Sequence, residues 1–182
     1  KNGATLTGGE YMAIDHNKEV VQITTPYDEI IIKLNSRLNK TYISYGSLGK
    51  SKYIAQEVQD RNALSMQEAV AVKRAVSKSS RLYNNKKWDL VDAYDDAEFE
   101  ISSIEKDELP EELQSKSENE IKKFVESKKN EREEIQKEIK KYNSKRLTYI
   151  AENQKNNNSG ELENAMIQAI KKQAASKNYT WD

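Results

Sequence analysis

Several residue types are scarce or missing from this chain, and each absence narrows its chemistry. There is no cysteine among the 182 residues. That excludes disulfides, zinc–thiolate sites and a cysteine nucleophile, and leaves the redox compartment unread. Histidine occurs once, as His16. A general base needs a nucleophile and an orienting partner placed by the fold, and His16, between Asp15 and Asn17, reads instead as a turn residue. With two prolines and six glycines, punctuation is sparse and the elements between turns are long. No apolar run reaches the roughly 18 residues needed to cross a bilayer as a helix, so no membrane span is expected. No signal peptide is read either. The chain starts at Lys1 rather than Met, so it is read as a piece of a longer protein.

An excess of charge of one sign is also lacking. Thirty basic and thirty acidic residues give a formal net charge of +0, without the cationic field of a general nucleic-acid binder. Local basic pairs such as Lys122-Lys123 and Lys140-Lys141 are offset by nearby glutamates and read as solvated helix face. What remains is 33% charged and 36% hydrophobic residues. That balance favours amphipathic helices with one buried stripe over a broad sheet buried on both faces.

Glu10 to Asp15 and Val20 to Ile23 read as two short strands around a turn, which by themselves need neighbours or a covering helix. Thr25-Pro26 then opens a helix over Pro26 to Lys40: threonine can accept bonds from first-turn N–H groups, proline suits the first helical position, and Asp28 and Glu29 meet the positive end of the macrodipole. Its stripe is Ile30, Ile31, Leu34 and Leu38, with Tyr27 a turn earlier. A loop with Gly46 and Gly49 follows. Ser51 to Tyr83 reads as one long alanine-rich helix with Ile54, Val58, Ala69, Val72, Val76 and Leu82 inward, packed on another helix. Asn84-Asn85 breaks it, and Trp88 to Tyr94 forms a short amphipathic turn with a large anchor. Asp95 to Pro110 is acidic and irregular, with Phe99, Ile101 and Ile104 touching the body.

Ser117-Glu118-Asn119-Glu120 is a capping box for a helix running to about Asn153. Two rows follow a seven-residue spacing, Ile121, Lys128, Ile135, Tyr142, Tyr149 and Val125, Arg132, Ile139, Arg146. Charges interrupt this coiled-coil-like seam, which suits a hairpin with one partner. After a polar linker (QKNNNSG), Leu162 to Ala175 makes a last amphipathic helix.

Three local patterns invite chemistry and are read otherwise. SYGSLGKS (Ser44 to Ser51) ends like a phosphate-binding loop, but Ser44 stands where the first glycine belongs, and a helix rather than a strand precedes it. Asp92, Asp95, Asp96, Glu98 and Glu100 lack the spacing and turn glycine of an EF-hand. Asn39-Lys40-Thr41, Asn157-Asn158-Ser159 and Asn178-Tyr179-Thr180 match the glycosylation acceptor pattern, as an asparagine-rich chain does by chance. No catalytic constellation emerges, and neither an enzyme nor a cofactor is expected. The aromatic residues Tyr45, Tyr53, Tyr83, Trp88 and Tyr94 are the candidate partner-binding set, against the alternative that they cap a core edge.

GEYMAIDHNKEVVQITTPYDEIIIKLNSRLNKTYISYG is similar to the end of the A domain in a group of bacterial von Willebrand factor A domain-containing proteins. NALSMQEAVAVKRAVSKSSRLYNNKKWDLVDA, ELPEEL and the helix with EREEIQKEI resemble the helical extension of that group. The resemblance implies a mainly α chain with a small α/β remnant: the last two strands and final helix of the A domain, then long amphipathic helices. It divides the chain into residues 1–49, a helical extension 50–114 with the Trp-containing segment, and 115–182 with the long charged helix and a terminal helix. The family's metal-dependent adhesion site uses an Asp-x-Ser-x-Ser run that is not present in this sequence, so no metal ligand is carried over. The implied function is a non-enzymatic interaction or scaffolding module, whose partner is another protein or the missing part of its own A domain, in the periplasm or cell envelope. The alternative is a structural brace for the parent domain; a nucleotide-binding or hydrolase domain is a third reading.

Overall fold

The computed structural model describes residues 23–154, 161–176 and 179. Residues Ile23–Tyr149 form one compact unit, and those from Ile150 onward belong to a second. Seven α-helices occur among the described residues: α1 (Asp28–Asn39), α2 (Gly49–Met66), α3 (Glu68–Lys78), α4 (Leu90–Ala93), α5 (Glu111–Gln114), α6 (Glu118–Gln154) and α7 (Glu161–Ser176). Two 3-10 turns, Ile101–Ser103 and Lys106–Glu108, lie between α4 and α5.

The expected α/β remnant is corrected by this architecture. No strand occurs among the described residues, and the one β-like feature is an isolated antiparallel bridge between Ser44 and Asp89. The expected strands at Glu10 to Asp15 and Val20 to Ile23 lie outside the described residues, apart from Ile23, which belongs to no regular element. The physical reason is legible in α1. A helix closing an A domain would cover a sheet, whereas Ile31, Leu34 and Leu38 of α1 pack with Val72 and Ala75 of α3 and Ile135 and Ile139 of α6. Helices take up the apolar face that a sheet would need.

Thr25 and Asp28 set the start of α1 by a reciprocal exchange. The Thr25 hydroxyl accepts the Tyr27 N–H at 3.2 Å, while the Asp28 carboxylate accepts the Thr25 N–H at 3.1 Å and its hydroxyl at 2.8 Å. The same economy opens α6. The Ser117 N–H donates to Glu120 at 2.8 Å and the Glu120 N–H to the Ser117 hydroxyl at 3.4 Å, the two halves of a capping box.

The single helix expected over Ser51 to Tyr83 is two. Gln67 is extended (φ −166°, ψ 148°) and caps α3 after α2 has ended at Met66. The break lets the chain fold back so that Asp60 on α2 meets Arg74 and Lys78 on α3. Its cost is visible in the expected stripe, where Ile54 and Leu82 are left exposed.

The long helix α6 supplies one face to two apolar clusters. Toward its start, Ile121 and Val125 pack with Leu90, Val91, Ile101, Leu109 and Leu113. Farther along, Ile135 and Ile139 join the cluster of α1, α3, Tyr42 and Trp88. Each fully buried aliphatic side chain contributes about 1.5–3 kcal/mol. The buried positions of α6 (Ile121, Val125, Arg132, Ile135, Ile139 and Arg146) follow the two seven-residue rows. They face several short elements rather than the one partner helix expected of a hairpin. In the second unit, α7 exposes Met166, Ile167 and Ile170.

Candidate functional site: a groove beside Trp88 and the ion clusters behind it

Arg132 explains how the segment carrying Trp88 is held. Its Nε donates to Thr41 Oγ1 at 3.0 Å and its Nη2 to the Thr41 carbonyl at 2.8 Å and Asp89 Oδ1 at 3.3 Å. Its Nη1 donates to Asp89 Oδ2 at 2.6 Å and Asp92 Oδ1 at 2.7 Å. All five N–H groups of the guanidinium are therefore used, and its carbon lies 4.2 Å from the centre of the Tyr42 ring. Burial opposes this charge, but the Asp89 carboxylate more than offsets it, followed by Asp92, and the guanidinium pKa is raised. Desolvation first, and then the Asp89 charge, lift the Asp92 carboxyl above its ordinary range. Asp89 also accepts the N–H of Ile43 at 2.8 Å and caps α4 through Asp92 N–H at 3.2 Å. One carboxylate thus ties a loop, a helix start and α6 together.

A second cluster gathers on Asp60. It accepts from Lys78 at 2.7 Å, Asn39 at 2.7 Å and Asn35 at 3.0 Å, and from Arg74. Lys78 also donates to Asn39 Oδ1. These donors hold the Asp60 carboxyl below its usual range against the opposing effect of burial. Lys78 is fully buried, and desolvation, opposed by Asp60, pushes its pKa down to about 8. A third buried pair joins Arg146 of α6 to Asp28 at the start of α1, at 2.7 Å.

The groove lies in front of Trp88. It has a volume of about 450 Å³ and is lined by Leu48, Lys52, Asn84, Asn85, Lys86, Lys87 and Trp88. One wall is the Asn84–Trp88 turn, shaped by its own polar groups: Trp88 N–H donates to the Asn85 carbonyl at 2.9 Å, Lys86 N–H to Asn84 Oδ1 at 3.1 Å and Asn85 N–H to Asp92 Oδ2 at 2.7 Å. The other wall is Leu48 and the first turn of α2. There Gly46 adopts φ 73°, a left-handed conformation that glycine takes without strain. A side chain at Gly49 would sit 3.1 Å from the Ser44 backbone. The glycines of SYGSLGKS thus serve a turn and a close backbone approach.

The five expected partner-binding residues separate by role. Trp88 is 8% exposed and stacks on Tyr42 with ring centres 5.7 Å apart. Tyr53 and Tyr83 pack against the same cluster, Tyr83 donating to Gln56 Oε1 at 3.0 Å. Tyr45 and Tyr94 border the other cluster. Tyr45 donates its N–H to the Trp88 carbonyl at 2.9 Å and its hydroxyl to the Lys86 carbonyl, and meets Phe99 edge-on. Tyr94 donates to Glu126 at 3.2 Å. Of the five, only Trp88 lines the groove. Leu48, 59% exposed, was not among them and is the accessible apolar residue of that site. Its signal was weak: one leucine in a glycine loop.

The three aspartates of the acidic stretch are engaged in ion pairs: Asp92 with Arg132, Asp95 with Lys129 and Asp96 with Lys86. Thr41 is buried and Asn39 is bound into the Asp60 cluster. Asn157 and Asn178, like His16, lie outside the described residues. Among the described residues, no group of three or more histidine, aspartate or glutamate side chains is placed to hold a metal, and no helix is long and apolar enough to cross a membrane. No family model, curated protein or solved structure matches the chain.

Proposed function

We propose that the chain is a non-enzymatic protein-interaction module that docks a partner at the groove beside Trp88. The observation that carries this reading is a concave site with an exposed leucine at its edge and an indole in its wall, mounted on a hydrogen-bonded turn. Anchor pockets of this kind concentrate binding energy in few residues. The resemblance of Asn62 to Ala93 to the helical extension of von Willebrand factor A domain-containing proteins supports placing the module in such a parent. On that reading its partner is a neighbouring protein or another part of the parent.

Trp88 and Tyr45 are poor probes of docking, because both are built into the fold and their loss would confound binding with stability. A photo-crosslinking amino acid at Leu48, in the full-length protein in its source cells, separates the two. A discrete protein adduct from position 48, lost when Lys52 and Lys87 are replaced by glutamate, and not formed from the exposed Glu133, is the expected result. Absence of any adduct above that control, with unchanged melting, would overturn docking in favour of a structural brace.

A further inference from the structure

We infer that the occupant of the groove is an acidic peptide segment carrying one apolar anchor side chain. The inference rests on the docking reading above and adds the chemistry of the ligand. Three lysines line the site and all are exposed. Lys86 is neutralised by Asp96 at 3.0 Å. Lys52 and Lys87 form no ion pair or ammonium hydrogen bond among the described residues. Unpaired lysines occur elsewhere on the unit, but here the lining brings three lysines together with no aspartate or glutamate among its residues. In a chain of net charge +0, two uncompensated cations on opposite walls of one groove are a local asymmetry.

Lys52 comes from the first turn of α2 and Lys87 from the Asn84–Trp88 turn, so the charges flank the apolar part formed by Leu48 and Trp88. A ligand that matches this pattern has carboxylates on both sides of one apolar side chain. The volume of about 450 Å³ lies toward the small end of ligand sites, roughly 300–1,000 Å³, and suits a single anchor. An anionic bilayer offers the same charge, but a flat surface cannot enter a concavity, and only Leu48 stands out from this one. Complementary rim charges act chiefly on encounter rate and specificity, and they weaken with salt.

The test uses the full chain and three probes: a peptide of aspartates around a central phenylalanine, its asparagine counterpart, and phosphatidylserine vesicles. Calorimetric titration at low and moderate salt reads the affinities. The expected result is a preference for the aspartate peptide of about tenfold at low salt, from two rim pairs, that shrinks with salt. Lys52→Glu/Lys87→Glu should reverse the preference, and Leu48→Ser should weaken both peptides alike. Equal binding of the two peptides, lost in Leu48→Ser, would overturn the acidic-ligand inference and leave the docking reading standing. Binding to vesicles alone would overturn it in favour of a lipid surface. Failure of both peptides and of the vesicles, with the crosslinking result also negative, would sink both readings. Lys52 and Lys87 hold nothing in the fold, so an unchanged melting temperature shows that the variants are intact.

Discussion

Two buried cations, Arg132 and Lys78, sit in the same unit and solve the same problem with different success. Arg132 spreads its charge over five hydrogen bonds and an aromatic face, and its pKa is raised. Lys78 presents a compact ammonium to one carboxylate and one amide, and its pKa falls to about 8. The difference follows from shape. A planar guanidinium can satisfy acceptors from several elements at once, while an ammonium is a strongly hydrated point charge that burial strips more effectively. Arg132 is therefore a fixed tie, and Lys78 a cation that burial has made a weaker base.

The largest effect expected from breaking this comparison belongs to Arg132→Met. It strands Asp89 and Asp92 in the interior, and removing one partner of a buried pair costs roughly 3–5 kcal/mol. A drop of that size in urea unfolding at pH 7 is expected. Arg132→Lys keeps the charge but loses the fork, and should forfeit about 2–4 kcal/mol of the same stability. A value within about 0.5 kcal/mol of wild type would show that charge alone holds the site.

Lys78→Met should cost less, about 1–2 kcal/mol, because Asp60 keeps Arg74, Asn35 and Asn39. Its pH dependence sharpens the contrast. The folded pKa of Lys78 lies below its ordinary value of 10.5, so between about 8 and 10.5 the unfolded chain binds more protons. Stability from this group rises with pH across that window. The wild type should therefore gain on Lys78→Met between pH 7 and pH 10. On the acid side the sign is the usual carboxylate one. Asp60, with a depressed pKa, contributes stability that is lost as pH falls through its folded value. The smallest effect is at the groove: Leu48→Ser should leave the unfolding free energy within about 0.5 kcal/mol of wild type, since this leucine is mostly in solvent.

Local signals in the sequence were read well and long-range ones poorly. The capping box at Ser117 and the seven-residue rows of α6 depend on residues within a few turns and form as their spacing predicts, whereas α1 begins at Asp28, later than Thr25-Pro26 suggested. Arg132 and Arg146 looked like faults in an apolar seam. They are buried because Asp89 and Asp28, far away in the chain, wait opposite them, and a seam interrupted at regular positions by arginine is itself the signal of such a tie. The break at Gln67 carries no proline or glycine. It permits the pairing of Asp60 with Arg74 and Lys78, which no local pattern announces. The β-branched run before Thr25 suggested a sheet, but the face of α1 that would cover one is packed against helices. In the candidate site Trp88 was recognised as an anchor. Leu48 was not, because an isolated apolar residue becomes a site only when another segment folds opposite it.

The reach of the arginine ties has a consequence for synthesis. Thr41 and Arg132 are 91 residues apart, and Asp28 and Arg146 are 118. A ribosome adding about 5–20 residues per second exposes Asp28 on the order of ten seconds before its partner exists. Through that interval the carboxylates of Asp28 and Asp89 lack their arginines, and the apolar face of α1 has α3, Tyr42 and Trp88 for cover but not α6. The emerging chain is thus a half-closed intermediate that α6 completes, and the closing step comes only once most of the unit has been made.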